Sequence, residues 1–162
     1  MPENKVNRDL LFDFFMTFAK FEYALKASGY LQRSIREAKP DWDRFAQVLQ
    51  DKFDANRTNV LENACSYILM SPPNKQVVIG LNNGPETLAW ETPMRGNESE
   101  VVFLIRMVRC VRNNLFHGGK HSIELHENIE RTEALLRSTL VVIKECLILS
   151  LDVNEKFDEA II

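Results

Sequence analysis

The chain has 162 residues, of which 45% are hydrophobic and 27% charged, and a formal net charge of −3. Six Gly and six Pro exclude a collagen-like or largely disordered chain, and no apolar run is long enough to span a bilayer. That length suits one domain around a single core.

Apolar residues recur at three- and four-residue spacing through most of the chain, the signature of amphipathic helices. A first helix is predicted from Asn7 to Ala27, with Leu11, Phe14, Phe15, Phe18, Phe21 and Leu25 on one face and Gly29 ending it. Residues 31–39 are basic and polar and read as a short extra turn. Pro40-Asp41 opens a second helix with Asp41 as its N-cap, and Trp42, Phe45, Ala46, Leu49 and Phe53 form its apolar face. A third helix over about 57–70 turns Val60, Leu61, Ala64, Tyr67 and Ile68 inward.

Residues 71–97 interrupt this pattern with Pro72-Pro73, Asn82-Asn83-Gly84-Pro85 and Pro93. Between those turn signals, Gln76–Leu81 and Thr87–Glu91 are short enough for a small hairpin or an ordered loop. A fourth helix follows over about 98–117 and a fifth over about 123–150. The fifth carries Leu125, Ile129, Leu136, Leu140, Ile143 and Leu147 on one stripe, and the tail from Asp152 is expected to fray. The fold expected is all-α: an antiparallel bundle of four to five helices with one inserted loop or hairpin.

The start, Met-Pro-Glu-Asn-Lys, lacks the apolar stretch of a secretory signal. Three cysteines, at 65, 110 and 146, are an odd number within predicted helices and imply no disulfide framework. A reducing cytoplasm, with no membrane partner, is the expected setting.

The chemistry is concentrated in the fourth helix. No Asp or Glu occurs between Glu100 and Glu124, yet Arg106, Arg109, Arg112, Lys120, His117 and His121 all do. Such a window attracts phosphate. Counted at about 100° per residue, Val101, Leu104, Ile105, Val108, Val111 and Leu115 share the core face, and Arg106, Arg109, Asn113 and His117 a neighbouring polar stripe. Arg112 falls in the middle of the apolar face, where an Arg must be paired or reach a cleft. Glu22 lies in the middle of the first helix's apolar face, so the two misplaced charges are expected to meet and fix the guanidinium. A structural salt bridge for Arg112, and a cap on the last helical carbonyls for His117, are the alternatives.

Arg112-Asn113-Asn114-Leu115-Phe116-His117 resembles the motif of the HEPN superfamily (higher eukaryotes and prokaryotes nucleotide-binding): Arg, four to six residues, then His, with a polar residue after the Arg. The longer string from Val111 to Lys120, with Phe18-Ala19-Lys20-Phe21-Glu22-Tyr23-Ala24-Leu25 in the first helix, is similar to small stand-alone bacterial HEPN proteins. The likeness is strong over 105–120, weaker over 10–30 and absent over 71–97. It implies an all-α bundle with the motif at the end of a late helix. It also implies a metal-independent endoribonuclease acting as a homodimer, and a toxin or antiviral (abortive-infection) effector with an antitoxin or regulatory protein as partner.

The residues suit that chemistry on their own terms. RNA carries its nucleophile, the 2′-OH, so neither cofactor nor metal is required. His117 suits proton transfer near neutral pH. Arg112 suits the charge that develops on the phosphate oxygens. Asn113 can hold the imidazole or a phosphate oxygen, while Arg106, Arg109 and Lys120 are expected to position phosphate. The expected products are a 2′,3′-cyclic phosphate and a 5′-OH. Two such motifs facing each other across a dimer groove supply both a base and an acid. A zinc set from Cys110, His117, His121 and His126 lacks the paired spacing of structural sites. The alternative function is a catalytically inactive HEPN-like module that binds RNA, a nucleotide or a protein partner.

Overall fold

The computed structural model describes residues 5–33, 36–80, 82–116 and 128–162. Within them lie six helices and one two-stranded antiparallel sheet: α1 (Arg8–Ala27), α2 (Trp42–Leu49), α3 (Asn59–Met70), β1 (Lys75–Ile79), β2 (Thr87–Glu91), α4 (Glu100–Phe116), α5 (Ile129–Leu149) and α6 (Leu151–Glu159). The protein is thus mostly helical rather than purely so. The two strands arise where Val77, Val78 and Ile79 favour the pleated chain and the flanking prolines forbid a helix.

Local chemistry sets the helix limits. Asn7 Oδ1 accepts from the Leu10 N–H and opens α1. At the other end the Tyr30 N–H reaches Leu25 O and the Gly29 N–H reaches Lys26 O. Gly29 has φ +83°, so this is the paired-bond helix stop that only a residue in the left-handed region completes. Asp41 caps α2 by accepting from the Arg44 N–H, as expected, and Thr58 caps α3 through the Leu61 N–H. The segment between α1 and α2 is pinched at its base. Leu31 bridges Pro40, and the Asp41 N–H bonds Tyr30 O.

α5 is the central helix and packs against α3, α1, α4 and α6. Leu136, Leu140, Ile143 and Leu147 are buried along it. The same core holds Phe14, Phe18, Phe21 and Leu25 of α1, Trp42, Phe45 and Leu49 of α2, and Leu61 and Ile68 of α3, with α2 packed on α4. Burying a side chain of this size contributes about 1.5–3 kcal/mol. Two apolar residues depart from expectation. Val60 is exposed because the apolar stripe of α3 runs through Leu61, Ala64, Cys65 and Ile68. Phe53 lies beyond the end of α2, half-buried, with its N–H on Leu49 O.

The tail is not frayed. Val153 is fully buried, Phe157 packs on the core, and Lys20 Nζ sits 4.5 Å from the Phe157 ring centroid. Two apolar residues four apart suffice to seat α6 against α1. Ser28 Oγ also donates to Asp152 O at 3.3 Å.

The hairpin pairs Lys75 with Glu91 and Ile79 with Thr87. Its turn requires a glycine at position 80: φ is +86°, and a Cβ there would lie 2.5 Å from Pro85 O. Arg131, in the first turn of α5, anchors the segment leading into β1. Its Nη1 donates to Ser71 Oγ at 2.9 Å and its Nη2 to Pro72 O at 2.7 Å. The segment before the hairpin is thereby held against α5. Among the described residues, no helix is long and apolar enough to cross a membrane.

Candidate functional site

α4 carries the chemistry on two of its sides. On the side toward α1, the half-buried Arg112 lies among aromatic rings. Its guanidinium carbon is 4.7 Å from the Phe116 centroid and 5.7 Å from the Phe18 centroid. Phe116 in turn meets Phe15 edge-on, with centroids 4.5 Å apart. Arg112 Nη1 donates to Asn113 Oδ1 at 3.1 Å. An arginine on an apolar helix face is therefore accommodated by ring faces, which attract a cation through their quadrupole.

The expected partner of Arg112 was Glu22, and here the structure corrects the expectation. Glu22 is half-buried, but it is in none of the ion pairs within 4.0 Å among the described residues. The reason is axial level. The end of α4 meets α1 at Phe15 and Phe18. Glu22 stands one turn further on, about 6 Å along the helix axis.

On its other side α4 faces the hairpin across a cleft of about 420 Å³. Arg106 and Arg109 line it, together with Lys75 at the start of β1. The amides of Gln76, Asn113 and Asn114 and the apolar Pro93 and Met107 complete most of the wall, with Cys110 beside them. Asn113 is the residue common to both sides: it accepts from Arg112 and lines the cleft.

The acid-free sequence window is partly neutralised by residues from elsewhere in the chain. Arg106 donates to Glu98 Oε1 and to Met94 O, the latter at 3.1 Å, and its guanidinium lies 5.1 Å from the Phe103 centroid. Arg109 Nη1 is 3.3 Å from Asp43 Oδ1 of α2. Asp43 is 82% exposed, and a pair this open to water is worth at most about 1 kcal/mol. Arg109 is therefore easily redirected to a ligand, whereas Arg106 is held by three contacts.

Asn114 is a residue that sequence reasoning passed over. It is buried, and its Nδ2 donates to Asn74 O at 2.7 Å. That bond fixes the base of the hairpin to the last turn of α4. The signal was present in the sequence: a buried amide needs a partner, and position 114 follows Val111 on the inner side of the helix. His117 and Lys120, expected as proton-transfer group and phosphate contact, lie outside the described residues.

As a donor set, guanidinium, ammonium and amide groups suit an anion or the polar edge of a base rather than a metal cation. No protein-family model, no curated protein and no solved structure matches this chain.

Proposed function

We propose that this chain is a HEPN-like, metal-independent endoribonuclease that acts as a cytoplasmic homodimer, in the role of a toxin or antiviral effector. The observation that carries the reading is the placement of Arg112 and Asn113. They are hydrogen-bonded to each other at the end of a late helix, five and four residues before His117 in the chain. The mostly helical fold agrees with the resemblance of the Arg112–His117 string.

The reaction balances without a cofactor. The 2′-oxygen attacks phosphorus as a base removes its proton; the P–O5′ bond breaks and O5′ takes a proton from an acid. A 2′,3′-cyclic phosphate and a 5′-OH result. His117 is the proton-transfer group, and its counterpart in the second subunit supplies the opposite role. Arg112 stabilises charge on the non-bridging oxygens. Its ring cage restricts the guanidinium before substrate arrives, which lowers the reorganisation needed in the transition state. Asn113 bridges this group to the cleft, where Arg109 engages phosphate.

The rival, an inactive module that binds RNA, nucleotide or protein, draws support from the ion pairs that Arg106 and Arg109 already make. Expression separates the two. Wild-type protein that arrests growth, with His117→Ala tolerated at equal abundance, supports the nuclease; equal tolerance of both forms supports the rival.

A further inference from the structure

We propose that the cleft between β1 and α4 is a separate subsite for one unpaired nucleotide of the RNA, built by the hairpin and lying beside the Arg112–Asn113 pair. The identity of the polymer rests on the ribonuclease reading; the anionic, base-bearing character of the ligand rests on the cleft.

Three features lead there. The first is size. At about 420 Å³ the cleft falls within the roughly 300–1,000 Å³ typical of small-molecule sites. The second is charge. Lys75, Arg106 and Arg109 line it, and among the described residues no Asp or Glu does. Lys75 is exposed and is in none of the ion pairs of the described residues. Its ammonium is therefore available to phosphate, as is the guanidinium of Arg109 once the exposed Asp43 is displaced. The third is chemistry of a different kind: the Gln76 and Asn113 amides bring acceptors as well as donors, and acceptors serve a base edge but not a bare anion. Pro93 provides apolar surface for a ring.

The cleft also contains its own reporter. Cys110 is half-buried on its wall. Cys65 and Cys146 are buried in the core, and burial pushes the Cys65 thiol up to about 12 and raises the Cys146 thiol further. Alkylation of the folded protein is therefore confined to Cys110, with the other two cysteines as internal standards.

The experiment measures the rate of Cys110 alkylation by iodoacetamide, read by mass spectrometry. The protein is tested alone and with a 2′-O-methyl oligoribonucleotide that it cannot cleave. The other arms use the four nucleoside monophosphates, inorganic phosphate and poly-glutamate. The oligonucleotide is expected to protect Cys110 most strongly and the monophosphates less, with phosphate and poly-glutamate ineffective. Lys75→Gln is expected to weaken oligonucleotide binding and to reduce the log–log salt slope by about 1. Its melting temperature checks the fold. Protection by poly-glutamate equal to that by oligonucleotide, protection by monophosphates alone, or no protection overturns the inference. His117→Ala separates it from the cleavage reading. Retained protection without cleavage in any form of the protein upholds the subsite and removes the nuclease; cleavage by wild type without protection does the reverse.

Discussion

Arg112 and Phe116 stand one turn apart at the end of α4, with the guanidinium carbon 4.7 Å from the ring centroid. Phe116 is 52% exposed, so its ring contributes little core burial and serves chiefly to hold the arginine. Such a contact is worth about 0.5–2 kcal/mol depending on how dry it is. Phe116→Leu is therefore expected to lower kcat about tenfold, equivalent to about 1.4 kcal/mol, with KM nearly unchanged. Steady-state cleavage of a short labelled RNA checks this; a fall in thermal stability that accounts for the lost rate would contradict it.

Asp43 restrains Arg109 across 3.3 Å at an exposed position. Asp43→Asn is expected to tighten RNA binding and steepen its salt dependence, because one more cation becomes available to phosphate. The stability cost stays below about 1 kcal/mol, made up of a weak pair and a favourable helix-dipole position in the first turn of α2. Fluorescence anisotropy over a range of salt concentrations measures both quantities.

The pair between Arg57 and Glu145 fastens the segment before α3 to α5. Arg57 Nε donates to Glu145 Oε1 at 2.7 Å and Nη2 bonds the other oxygen, while the Glu145 side chain is only 3% exposed. Arg57→Met is expected to destabilise the protein, since it leaves a buried carboxylate without its partner. Adding Glu145→Leu to that variant should restore much of the loss. Denaturant unfolding of the single and double variants decides.

Glu133 gives the fold a defined acid sensitivity. The Asn7 backbone N–H holds its carboxyl below the ordinary value of 4.5; burial opposes this, and the hydrogen bond and charge of Arg137 add to the lowering. The folded pKa is the lower one, so the stabilisation is present above the unfolded value and is lost as pH falls through the folded value. Glu133→Gln should thus be less stable than wild type near pH 7, and the gap should close on acidification below the ordinary carboxylate value. Melting temperatures measured through that range test the sign; a gap that widens in acid would refute it.

Much of the helical frame could be read from the chain because its stop and start signals are local. Asp41 before Trp42 and Gly29 after Ala27 act through bonds to residues within five positions. The tail misled because Asp152 to Glu159 is mostly polar; Val153 and Phe157 become a packing stripe only when α1 is alongside. Arg112 was recognisable as a charge on the wrong face, but its surroundings depend on the level at which α4 crosses α1, which no periodicity encodes. The cleft was out of reach for the same reason. It joins Lys75 and Gln76 to residues about 30 positions later through the Asn114–Asn74 bond, and only the folded chain brings them together.

The central claim is that Arg112, Asn113 and His117 cleave RNA without a metal. The most direct measurement incubates purified protein with mixed RNA in EDTA and determines the chemistry of the new ends. The account predicts 2′,3′-cyclic phosphate and 5′-OH ends from wild type, and none from His117→Ala or Arg112→Ala. Cleavage that disappears in EDTA, or that persists in both variants, would contradict it.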